Sequence, residues 1–76
     1  MDEEVAGAAA EAIAAVLEEK GGKVAVKTLP LSILKHLAGN PNKAAIVAIV
    51  KDVEQLTAVG EATEAFTCDG ETVEAA

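Results

Sequence analysis

Seventy-six residues suffice for one domain, 1–76, and a chain this short buries only roughly 60% of the surface that its unfolded form exposes, so its stability is modest. Alanine inflates its 51% hydrophobic content, Phe66 is its one aromatic residue and it has no arginine, so it lacks the rings and guanidinium planes on which readers of single strands stack bases. The net charge of −7 opposes a polyanionic partner for the chain as a whole, but all six lysines lie within 20–51, which holds no acid, while six acids precede that stretch and seven follow it. Such a partition allows one basic face on an acidic body.

Cys68 stands alone, so an intramolecular disulfide, a Cys/His zinc site and a CxxC redox pair are all excluded, and a reducing intracellular setting, cytoplasmic or nuclear, is expected. The chain opens on acids rather than a basic region, and the apolar run Ala44 to Val50 is too short to cross a bilayer. Neither a targeting signal nor a membrane partner is expected.

In chain order, Asp2 to Lys20 reads as an amphipathic helix, with Val5, Ala9, Ala12, Ile13, Val16 and Leu17 at i, i+3, i+4 spacing and Gly21-Gly22 as its stop. Lys23 to Lys27 alternates, which places Val24 and Val26 on one face of a short strand and the two lysines on the other. Pro30 fits the first turn of a second helix running to about Ala38, with Leu31, Leu34, Leu37 and Ala38 inward and Gly39 as its stop. Asn40-Pro41 then predicts the cap and first residue of a third helix carrying Ala45, Ile46, Ile49, Val50 and Val53 inward and Lys43, Val47 and Lys51 on the opposite stripe. The competing reading of Ala44 to Val50, rich in β-branched residues, is a buried strand. Beyond Leu56, Gly60 reads as a breaker. Asp69-Gly70, between two alternating segments, predicts a hairpin with a type I′ turn, with Phe66 and Val73 facing the core.

The expected class is α+β, in the order α-β-α-α-β-β: a small winged helix of three helices and a short three-stranded antiparallel sheet, in which the last two strands join the first. Within that class, Gly21-Gly22-Lys23-Val24-Ala25-Val26-Lys27-Thr28-Leu29, together with Phe66-Thr67-Cys68-Asp69-Gly70-Glu71-Thr72-Val73 at the far end, resembles the LOTUS (OST-HTH) domains and, more distantly, the La motif. The resemblance implies an RNA-associated role, since LOTUS domains bind either RNA or a DEAD-box helicase and the La motif grips RNA ends. The chain departs from the La motif in lacking its base-stacking aromatics, which argues against end recognition.

No residue pattern here requires an enzyme. His36 is the only histidine, with no nucleophile placed beside it by spacing, and reads as a surface or half-buried helix residue. Cys68 reads as structural. The acids match no EF-hand or hydrolase pattern, and the glycines match neither a P-loop nor a dinucleotide fingerprint, so no catalytic residue, metal ligand or cofactor is assigned.

The lysines carry the functional expectation. In a winged helix Lys23, Lys27, Lys35, Lys43 and Lys51 come from elements packed close together, and as one face they would contact the phosphates of RNA or DNA. The plainer reading is that they solvate exposed positions and pair with acids of the first helix and hairpin, each pair worth well under ~1 kcal/mol. The third helix presents lysine, alanine and valine rather than Arg, Asn or Gln, so base-edge readout is poor. The expected function is a non-catalytic, RNA-associated module gripping phosphates. The alternative is an adaptor that docks a protein partner of complementary charge, such as a helicase.

Overall fold

A computed structural model describes residues 2–76. Its elements are α1 (Glu3–Glu19), β1 (Lys23–Ala25), α2 (Leu29–Ile33) continued by a 3₁₀ turn (Leu34–His36), α3 (Lys43–Val50), α4 (Val53–Thr63), β2 (Phe66–Cys68) and β3 (Thr72–Ala75). The strands form one antiparallel sheet in the order β1-β3-β2, so the C-terminal hairpin joins the first strand through its second member. This is a small α+β domain of broadly winged-helix-like topology, with four helices where the apolar spacing predicts three.

α1 is the central pillar. Asp2 caps it by accepting from the Glu4 N–H at 2.8 Å, and Glu3 and Glu4 lie in the first turn, where carboxylates complement the helix dipole. Its inward stripe, Ala6, Ala9, Ala10, Ala12, Ile13, Val16 and Leu17, packs against all the other helices and against the sheet. The alanines thin the helix on this side and let neighbours approach. At its end, Gly21 and Gly22 donate back to the carbonyls of Glu18 and Leu17, a closure that fits the predicted stop.

β1 ends two residues before the expected Lys27 because the N–H and hydroxyl of Thr28 both return to the Ala25 carbonyl, closing a turn. Val24 lies opposite Val73, and both are buried beside Phe66, as the alternation predicts. Among the described residues eighteen hydrophobic side chains are buried and no polar or charged one is.

Several local expectations are corrected. In the α2 segment the buried stripe is Leu29, Ile33 and Leu37, four apart, whereas Leu31, Leu34 and Ala38 face outward. The helix starts at Leu29, one residue before Pro30. Asn40 caps the turn that precedes α3 rather than α3 itself: its Oδ1 accepts from the Asn42 N–H at 2.8 Å, and Asn42 is the helix's own first flank. α3 is helical over the contested run, with Ile46, Ile49 and Val50 buried, but Ala45 is exposed.

α3 also stops early. Asp52 breaks the expected continuous helix by taking extended backbone and accepting from the N–H groups of Glu54 and Gln55, while the Gln55 side chain donates back to its carboxylate. This cap starts α4 as a separate helix, in which Val53 faces outward and Leu56 and Val59 face inward. Gly60 is no breaker; it lies buried within α4.

The hairpin turn is displaced by one residue. The register pairs Cys68 with Val73, so Gly70 and Glu71 are the central residues, and only Gly70 has positive φ (99°). This matches a type II′ pattern rather than type I′. Asp69 instead fastens the turn from its flank, accepting from the N–H groups of Glu71 at 2.9 Å and Thr72 at 2.7 Å.

Candidate binding surface

All five lysines of the expected face are exposed, as is Lys20, but they differ in their partners. Lys23 projects from β1 on the outer sheet face, directly across from Glu74 of β3, with 4.0 Å between their charged groups. Lys35, in the 3₁₀ turn, binds Glu19 at the end of α1. Both are pairings of a central lysine with an acid of a flanking segment, as the plainer reading of the charge pattern expects. Lys27, Lys43 and Lys51 form no ion pair among the described residues. Lys43 and Lys51 bracket α3 with Val47 between them at steps of four, and Val47 is half-buried against the core.

Glu19 is shared. His36 brings Nε2 to 3.4 Å from the second oxygen of the same carboxylate, a distance that suits an ion pair when the imidazole is protonated but lies outside hydrogen-bond geometry. The Lys35 hydrogen bond is the main reason the Glu19 carboxyl titrates below its ordinary value, helped by the charges of Lys35 and His36. The Asp69 carboxyl is lowered too, chiefly by the N–H groups of Glu71 and Thr72 that it accepts from in the hairpin turn.

The charge on the remaining outward surface is acidic where the hairpin is approached. α4 presents Glu54, Gln55, Ala58, Glu61 and Ala62, and the turn presents Asp69 and Glu71; neither element has a lysine. Among the described residues no three His, Cys, Asp or Glu side chains converge as a metal site requires. Cys68 is a half-buried free thiol packed against the core. No helix among the described residues is long and apolar enough to cross a membrane.

What the sequence pattern missed is apolar. Leu31 is 76% exposed and Leu34 42%, side by side on the outside of α2 and the 3₁₀ turn, and Val53 shares a shallow groove with Lys27, Gly70 and Glu71. A signal for the two leucines was present: Leu29, Ile33 and Leu37 already complete an inward stripe at steps of four and leave Leu31 and Leu34 without a place on it. Compared with protein-family models, with curated proteins and with solved structures, the chain finds no match.

Proposed function

We propose that this domain is a non-catalytic docking module for other proteins. The observation that carries the reading is the sign of the charge on α4 and the hairpin turn. A helix-turn-helix reads nucleic acid with an exposed helix and steadies itself on phosphates through the flanks. Here α4 and the turn that follows it carry Glu54, Glu61, Asp69 and Glu71 outward, which repel phosphate. α3 offers Lys43 and Lys51 around exposed alanines, and with Lys20 and Lys27 this makes four lysines without an ion pair among the described residues, on a chain of net charge −7. Non-specific nucleic-acid affinity grows with the number of phosphates neutralised, so at most four contacts against a net repulsion give little. Protein docking needs no such excess, since complementary charge steers an encounter and apolar contact holds it. The LOTUS resemblance is compatible with this choice because that family includes binders of a protein partner.

The test is fluorescence anisotropy of labelled single-stranded and duplex RNA and DNA with the folded domain at about 20 mM and about 150 mM salt, which brackets the range where electrostatic contacts fade. The expected result is no saturable binding at either. Saturable binding at low salt that weakens steeply as salt rises, and weakens again in Lys43→Gln/Lys51→Gln, would overturn the docking reading in favour of phosphate contact.

A further inference from the structure

We infer that the outward face of α2 and its 3₁₀ turn is the docking surface, and that its partner is an acidic amphipathic helix of another protein; this rests on the docking-module reading above. The argument begins with what the core does not need. α2 buries Leu29 and Ile33, and Leu37 follows on the same stripe, all three fully enclosed. Leu31 lies on the far side of that helix, and Leu34, three residues on, stands beside it. A leucine three-quarters exposed gains almost nothing from folding and favours association, because contact removes apolar surface from water. Two adjacent leucines on one short helical segment match the spacing at which a partner helix sets its own apolar side chains.

The charges around this surface select the partner. From Lys20 to Lys51 there is no acid; Lys35 directly follows Leu34 in the 3₁₀ turn, and Lys27 precedes α2 and lines the groove with Val53. Two carboxylates reach the area from elsewhere: Glu19, which Lys35 and His36 already hold, and Glu71, which borders the groove that Lys27 lines. A partner carboxylate can therefore exchange with Glu19 at Lys35 or reach Lys27 at the neighbouring groove, whereas a basic partner finds no acid on the segment itself and Glu19 already held.

A second copy of this chain fits poorly. Face-to-face packing would bring two acid-free segments together. The acidic outer face of α1 is Glu3, Glu4, Glu11, Glu18 and Glu19 with alanine between, and offers no large apolar side chain to cover the leucines. An acidic helix with leucine-sized residues at i, i+3 and i+4 satisfies both requirements.

The test is a ¹⁵N-NMR titration of the folded domain with a synthetic helical peptide of about 16 residues, leucine at i, i+3, i+4 and glutamate on the flanks, beside the same peptide with lysine for every glutamate. The expected result is saturable amide shifts centred on Leu31, Leu34 and Lys35 with the acidic peptide alone, and a loss of affinity of about tenfold or more in Leu31→Gln/Leu34→Gln. Both positions are exposed, so that variant's unchanged spectrum elsewhere reports that it is folded. Shifts centred on the outer face of α3, at Ala45 and Ala48, would overturn this surface while leaving the docking module standing. Equal binding of the two peptides would overturn the acidic partner. Absence of binding by either peptide would overturn the inference, and RNA binding in its place would overturn the docking reading with it. Shifts of the Leu31 and Leu34 amides on simple dilution would assign the face to a second copy and overturn it likewise.

Discussion

The corner where α4 passes into β2 and the ledge formed by α2 with its 3₁₀ turn are built on opposite terms. α4 is capped at its start by Asp52 and Gln55, and it ends at Glu64 in the left-handed region at φ 57°, which turns the chain straight into Phe66. Gly60 and Phe66 then meet so closely that a Cβ on the glycine would lie 2.8 Å from the Phe66 carbonyl oxygen and 2.9 Å from its ring. α2 has only five helical residues, no side-chain cap at Thr28, and a tightened last turn; its leucines Leu31 and Leu34 face water. Close packing at one place and uncovered apolar surface at another, in a domain this small, separate a corner that holds the fold from a ledge that the fold leaves in water.

If that contrast is right, the largest loss comes from the corner. Phe66 is 2% exposed and is the largest side chain in an aliphatic core, so Phe66→Ala should cost about 3–5 kcal/mol, much of the stability a small domain has. Chemical denaturation followed by circular dichroism measures it; a variant that unfolds with the parent would show that the corner is not the anchor.

Gly60→Ala sharpens the same point because two effects oppose each other there. Helix propensity alone favours alanine in mid-helix by about 0.5–1 kcal/mol. The contact with Phe66 is under 3.0 Å and partly to backbone, which cannot swing aside, so overpacking of about 1–3 kcal/mol should win and the variant should melt earlier. Gly7→Ala in α1 is the control: nothing lies within 4 Å of its added methyl, and propensity should raise stability by about 0.5–1 kcal/mol. A stabilised Gly60→Ala would mean that α4 and β2 have room between them.

These glycines show where the sequence was legible. The amphipathic α1, the helical run through Ile46 and Val50, and the hairpin strands with Phe66 and Val73 inward were all readable, because each depends on local spacing or local turn chemistry. Gly60 was not, since a helix breaker and a close-approach glycine look alike until the packed neighbour is known. The division of α3 from α4 was masked because Ile49, Val53 and Leu56 continue a helical spacing across Asp52, and the Asp-x-x-Gln cap was the only sign against it. The lysines were visible as a block, but Glu74 opposite Lys23 and Glu19 beside Lys35 are consequences of tertiary register.

Acid probes two tethers, one from each region: Glu19 at the ledge and Asp69 in the hairpin beyond the corner. Both carboxyls titrate below their ordinary values in the folded chain, Glu19 chiefly through Lys35 and Asp69 chiefly through the N–H groups of Glu71 and Thr72. A carboxyl lowered in the folded state contributes stability that is complete above its unfolded value and is lost as pH falls through the folded one. Stability should therefore decline on acidification below about pH 4, the ordinary carboxylate range. Asp69→Asn keeps an oxygen that can accept the turn's N–H groups but has no proton to gain, so its pH profile should flatten there, as should that of Glu19→Gln. Denaturation midpoints across that range measure both, and profiles parallel to the parent would show that neither tether contributes.

The smallest expected effect bears most on function. Leu31→Gln changes a leucine that is 76% exposed, away from any cap or core contact, and should shift stability by no more than about 0.5 kcal/mol either way. Ile33→Ala, two residues on and fully buried, should cost about 2–5 kcal/mol. The pair separates the two sides of one short helix: the inward side holds the domain together, and the outward side stands in water. Thermal melts of both variants measure the difference. Were Leu31→Gln to unfold the domain as Ile33→Ala does, the outward leucine would belong to the core and no free apolar ledge would remain for a partner to cover.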